Sequence, residues 1–105
     1  MKNMMKQMQD MQKKLQKVQK DLEDMTVTGS ASGEMVKVVM NGQHEVLNVE
    51  INPEVVDPKD VEMLQDLILT AYNDAYRKST ELAEKEMSKV TGGLNIPGMD
   101  LGKFM

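Results

Sequence analysis

The chain has 105 residues, 40% of them hydrophobic, with only Tyr72, Tyr76 and Phe104 aromatic and a formal net charge of -4. That length holds one small domain, and a core with so few rings is thin enough to favour association between chains. Cysteine is absent, which excludes disulfides, thiolate metal sites and cysteine nucleophiles, and no apolar run approaches the ~18 residues that span a bilayer.

The first stretch reads MKNMMKQMQDMQKKLQKVQKDLEDM. Its apolar residues, Met1, Met4, Met8, Met11, Leu15, Val18, Leu22 and Met25, alternate spacings of three and four. This heptad seam predicts a helix over residues 2–25, roughly 36 Å long at ~1.5 Å per residue. Methionine fills gaps adaptively and specifies packing weakly, so the seam is soft. Helix packing is its expected role, with a methionine-lined peptide groove as the alternative. The stretch lacks the apolar region of a signal peptide and is richer in lysine than in the arginine and serine of a transit peptide, so a soluble intracellular protein is expected.

Charge is segregated. Residues 1–20 carry six lysines against Asp10, a side-chain charge of +5, and the remainder of the chain carries -9. Lys6, Lys13 and Lys20 share one outer helical position away from the apolar seam, ~10.5 Å apart along the axis, and Lys2, Lys14 and Lys17 flank them. A solubility face interleaves both signs, whereas acids are nearly missing here until Asp21, Glu23 and Asp24. Base at the N-terminus and acid at the C-terminus also oppose the helix dipole. These placements imply selection for something other than helix stability, and neutralising the phosphates of a polyanion is the simplest candidate.

The next stretch, TVTGSASGEMVKVVMNGQHEVLNVEINPE, changes to period two with β-branched residues, which predicts strands. A first strand is expected over Thr26–Ala31, followed by a turn at Gly33. Asn41-Gly42 marks a hairpin, since both residues tolerate positive φ. A connection over residues 41–44 would pair Val38 with Leu47 and Val36 with Val49 on one face, and Val39 with Val46 on the other.

At VDPKD a second helix is expected to begin, with Asp57 as N-cap, Pro58 at the first helical position and Asp60 as reciprocal capping carboxylate. Val61, Leu64, Ile68, Ala71, Ala75 and Leu82 form its apolar stripe, and Gly92-Gly93 stops it near Val90. Residues 1–91 are thus expected to form one domain and residues 92–105 a Gly- and Pro-containing flexible tail. The fold class is α+β in the order α-β-β-β-α. Neither long helix can bury its stripe on three short strands, so dimerisation is the natural remedy. Arg77, Lys78, Lys85 and Lys89 are mixed with Glu81, Glu84 and Glu86 and read chiefly as ion-pair neighbours. Arg77 and Lys78 are kept as secondary candidates for contact with a polyanion.

Little supports catalysis. His44, the sole histidine, is expected exposed in the hairpin connection, with no nucleophile at a motif spacing that would recruit it. Gly29 and Gly33 are read as turn residues, because no Lys-Ser or Lys-Thr pair comes after them to make a phosphate loop. Asp57, Asp60 and Glu62 lack the alternation of a calcium loop and are assigned to capping. No enzyme activity, cofactor, metal or small-molecule substrate is expected.

The block from Thr26 through Ile68, with AYNDAYRKS and GGLNIPGM beyond it, resembles the YbaB/EbfC nucleoid-associated proteins. The most specific pieces are Thr28-Gly29, Asn41-Gly42, Pro53-Glu54 with Asp57-Pro58, and Asn73-Asp74-Ala75. The resemblance implies the α-β-β-β-α fold, a tweezer-shaped homodimer with protruding helices, and binding to double-stranded DNA in the cytoplasm and nucleoid. It also implies effects on nucleoid organisation and gene expression, and an association with recombination and repair functions. DNA contacts are not a fixed motif in that family, so Lys2, Lys6, Lys13, Lys14, Lys17 and Lys20 rest on the charge argument. Two rivals stand beside this reading. One is a chaperone-like module whose methionine-rich helices grip proteins; the other is a membrane-surface helix, disfavoured by its lack of Trp or Phe anchors.

Overall fold

The computed structural model describes residues 2–91, so the expected tail over residues 92–105 lies outside the described residues. The chain forms helix α1 (Lys2–Asp24), strands β1 (Thr26–Ala31), β2 (Val36–Asn41) and β3 (Val46–Ile51), a single 3-10 turn at Pro53–Val55, and helix α2 (Val61–Thr91). The strands make one antiparallel sheet in the order β1-β2-β3. The α-β-β-β-α order is the expected one.

Alternation sets which face of the sheet is dry. Val27, Gly29 and Ala31 of β1 stand opposite Met40, Val38 and Val36 of β2, and these side chains face α2. Val36, Val38 and Met40 are at most 1% exposed, and Ala71 and Ala75 of α2 meet them with no exposure at all. Gly29 does not belong to a turn, as the sequence suggested, but lies in the middle of β1. A Cβ there would collide with the backbone of Ala71 and Ala75, so the residue is glycine because a helix backbone lies directly on the strand. Gly33 does occupy the β1–β2 turn, at φ 63°.

The β2–β3 register differs from the expected one. Val38 faces Val49 and Val36 faces Ile51, with a bulge between Val39 and Met40 that places Met40 opposite Val46. The cause is the connection. Asn41 continues β2, its side-chain oxygen accepts from the N–H groups of Gln43 (2.9 Å) and Glu45 (3.0 Å), and His44 rather than Asn41 or Gly42 takes the left-handed backbone, at φ 66°. Gly42 serves packing instead, because a Cβ on it would run into Leu22.

That contact anchors α1. The Gly42 N–H donates to the carbonyls of Leu22 (2.8 Å) and Met25 (3.0 Å), and Gln43 Nε2 donates to that of Gln19 (2.7 Å). From the other side the buried Ser79 hydroxyl donates to the Asn41 carbonyl at 2.8 Å. Leu22 and Ser79 therefore meet through the Asn41-Gly42 turn, and further out Met11 and Val90 line one groove. The two helices leave the sheet side by side and antiparallel.

Helix α2 begins later than expected. Asp57 accepts from the Lys59 N–H (2.9 Å) and closes a separate turn around Pro58, whereas Asp60 accepts from the Met63 N–H (3.2 Å) as the true N-cap. Both aspartates can bond backbone ahead of them, but only Asp60 has three helical residues after it in register.

Candidate nucleic-acid interface

Helix α1 presents its bases on an exposed face. Lys6, Lys13, Lys14, Lys17 and Lys20 are all exposed; Lys2 opens the helix, and its side chain lies outside the described residues. Among the described residues, none of these five ammonium groups has an ion-pair or hydrogen-bond partner. The seam on the other side of α1 is graded: Leu22 is buried, Val18, Leu15 and Met11 are half-buried, and Met8 and Met4 are two-thirds exposed. Among the described residues the helix is thus rooted at its C-terminal end and least covered toward its N-terminus.

Arg77 and Lys78 are differently placed. Asp74 gathers both, with Arg77 at 2.7 Å and Lys78 at 3.2 Å, and also accepts the Ser30 N–H of β1 at 3.0 Å. Lys78 further donates to the Thr28 carbonyl at 3.0 Å, and Arg77 approaches Glu81 at 3.7 Å. The Arg77 guanidinium, then the Ser30 N–H and Lys78, pull the Asp74 carboxyl down from its ordinary value of 3.8 to about 2. In return Asp74, followed by Glu81, holds the Arg77 proton more firmly. These two bases clasp α2 to the edge of β1, and an acid offsets their charge locally. Lys37 and Lys89 likewise have acidic neighbours, Glu34 and Glu50 for the first and Glu86 for the second. The structure thus separates the sequence candidates into five unpaired lysines on α1 and two tethered bases on α2.

His44 is not the exposed turn residue the sequence suggested. Its ring stacks on Tyr76 with centroids 4.3 Å apart and its Nε2 lies 2.9 Å from the Thr80 hydroxyl. Among the described residues no cluster of three His, Asp or Glu side chains is arranged to hold a metal, and no helix is long and apolar enough to cross a membrane.

Sequence reasoning missed one surface. β3 lies beyond the cover of α2, so Leu47 and Val49, expected on one face with Val38 and Val36, as well as Val46, expected on the other face, and Ile51 are all between 37% and 53% exposed. Beside them, on the flank of α2 where His44 packs, Leu69, Tyr72 and Tyr76 are also exposed, the two tyrosine rings 6.2 Å apart. A second apolar row on α2, at positions 69, 72 and 76 next to the core row at 68, 71 and 75, was the available signal. A monomer rarely leaves so many large apolar side chains open.

Residues 1–94 match the profile of the YbaB/EbfC DNA-binding family. A nucleoid-associated protein of Desulforamulus reducens is 59% identical over 99 residues, covering 94% of each chain. Another from Alkaliphilus metalliredigens is 57% identical, covering 94% of this chain and 87% of that one. The crystal structure of an uncharacterized Helicobacter pylori protein superimposes with a TM-score of 0.72 at 23% identity, over 82% of this chain and 90% of that one, and so shares the fold.

Proposed function

The chain belongs to the YbaB/EbfC DNA-binding family, and from that premise we propose that it is a non-enzymatic, nucleoid-associated protein that binds double-stranded DNA as a homodimer. The lysines of α1 supply the main contacts, to phosphates. The observation that carries this reading is the row of five exposed ammonium groups on α1, unpaired among the described residues, in an otherwise acidic chain. Lysine is a point charge that suits backbone phosphate without reading bases. The chain's sole arginine, the residue type that most often reads guanine, is Arg77, and it is engaged with Asp74. Recognition therefore rests on charge and shape, with Arg77 and Lys78 contributing less than α1. Through such binding the protein acts in the cytoplasm and nucleoid, on nucleoid organisation and gene expression.

The homodimer is supported by the open apolar face. Leu47, Val49 and Ile51, which alternate onto one face of β3, with Leu69, Tyr72 and Tyr76 are exposed apolar side chains of the kind that isologous pairing covers. Doubling the chain doubles the lysine rows, and two rows held on one body reinforce each other on a single duplex.

Anisotropy of a labelled duplex of ~30 bp, long enough for about three helical turns, tests the reading at two salt concentrations. Saturable binding that weakens steeply with salt is expected. Replacing Lys6, Lys13 and Lys20 by Gln should flatten the logarithmic salt dependence by about 3 per chain, since each phosphate contact contributes about 0.9. It should lower affinity alike on unrelated sequences. An unchanged salt slope in the triple variant would remove these lysines from the interface.

A further inference from the structure

Among the described residues, the outer part of α1 extends beyond its partner helix. Ser79 and Leu22 lie level at the Asn41-Gly42 turn, and eleven residues further along each helix Val90 and Met11 share a groove. Helix α2 is described only to Thr91, whereas α1 continues outward from Met11 to Lys2, about 13 Å at 1.5 Å per residue. On that overhang the methionine seam carries on through Met8 and Met4, both two-thirds exposed. Met4, Met8, Met11 and Val90, with Asp10 and Lys14, line a groove of about 540 Å³.

Beyond Thr91 the sequence reads GGLNIPGMDLGKFM. This segment begins two positions after Val90, one wall of the groove. Gly92-Gly93 permits the chain to turn there at little steric cost. Leu94, Ile96, Met99, Leu101 and Phe104 then supply large apolar side chains, and the only charges are Asp100 and Lys103, which cancel. Fourteen residues reach up to about 46 Å when extended, well over the length of the overhang.

We propose that residues 94–104 of the same chain dock along the Met4–Met8–Met11 seam of α1. Three physical points favour this occupant. Tethering beside Val90 gives the segment a high effective concentration at the groove, which no separate partner shares. A second copy's α1 in the same position would bring two strongly basic rows together, whereas residues 92–105 add no net charge. Methionine walls also accept an irregular segment containing Pro97 and Gly98, because thioether side chains repack around the shape they meet. Docking on the seam meets Lys14 at the groove wall, leaves Lys6, Lys13, Lys17 and Lys20 uncovered, and stiffens the half of the helix that has least support among the described residues. The inference concerns the seam and does not depend on the DNA reading.

The cysteine-free chain allows a direct test. A nitroxide is attached at Gly102→Cys in the full-length protein whose methionine methyls carry carbon-13. The signals of Met4, Met8 and Met11 should lose most of their intensity relative to the ascorbate-reduced sample, while that of Met40, buried under the sheet, keeps its own. Adding Leu94→Asp and Ile96→Asp should restore the lost intensity. Three results would each overturn the proposal. In one, Met4, Met8 and Met11 stay sharp in the labelled protein. In another, broadening persists unchanged in the aspartate variant. In the third, broadening is equally strong in a mixture where nitroxide and carbon-13 sit on different chains, which would assign the groove to a second copy.

Discussion

The two ends of the helix pair are built on opposite plans. Where α2 crosses the sheet, Ala71 and Ala75 press their backbone against Gly29, and Val36, Val38 and Met40 are sealed beneath. Where α1 runs outward, long flexible side chains predominate, methionine on one side and unpaired lysine on the other. Small residues and β-branched strands fix one geometry at high packing density, while methionine and lysine leave many geometries close in energy. The sheet end is therefore the part that cannot change, and the basic arm is the part that can adapt to what it meets.

Substitutions should reveal that asymmetry. Gly29→Val drives a branched side chain into the α2 backbone, and at least about 3 kcal/mol of stability should be lost in urea denaturation, enough to leave much of the protein unfolded. The same residue type can then be compared at both ends. Met40→Ala empties a sealed site and should cost about 3 kcal/mol, whereas Met8→Ala on the exposed seam should stay within about 0.5 kcal/mol. Comparable losses for the two would mean that the arm is as tightly packed as the core. On the open flank, Val49→Lys places a charge in the proposed subunit contact. Sedimentation should show self-association weakened by about 2–3 kcal/mol with the monomer fold retained by circular dichroism.

A smaller effect than that on the open flank belongs to the clasp. Asp74→Asn keeps an acceptor for Ser30 but gives up its charge, and about 1 kcal/mol should be lost near neutral pH. The sign with pH comes from the lowered carboxyl. An aspartate held at about 2 in the folded chain, against 3.8 ordinarily, adds stability that is whole above the ordinary value and vanishes as pH falls through 2. Acid titration of Asp74→Asn should accordingly show a flatter loss between these two values than the parent. An identical acid limb would mean that Arg77 and Lys78 do not perturb Asp74 in solution.

Much of the fold is legible in the amino-acid order alone. The apolar period changes from seven to two and then to a helical one, and each change falls within a few residues of an element boundary, since hydrophobic spacing is what burial selects. The span expected for the first strand, Thr26–Ala31, matches β1 to the residue. Misplacements arise where one residue type serves two purposes. Asn41-Gly42 carries a hairpin signature, but here the asparagine side chain builds the loop and the glycine makes room for Leu22, so the register moves by two. Asp57 and Asp60 both suit a cap, and sequence offers no means of choosing between them. The lysine row of α1 can be read from charge alone. Its contrast with Arg77 and Lys78 cannot, because the Asp74 contact that sets those two apart draws in β1, more than forty residues away.

The clasp on β1 also bears on how far assembly can proceed. Asp74 takes the outward N–H of Ser30 and Lys78 takes the outward carbonyl of Thr28, so the middle of one margin of the sheet is already engaged by side chains. On β3 no comparable cover exists among the described residues. A sheet with two open margins can add copies without limit and so grow into a fibre, but a sheet with a single open margin is used up once that margin meets its twin. A carboxylate and an ammonium group on α2 thereby occupy two of the backbone groups through which β1 would have to add a further strand.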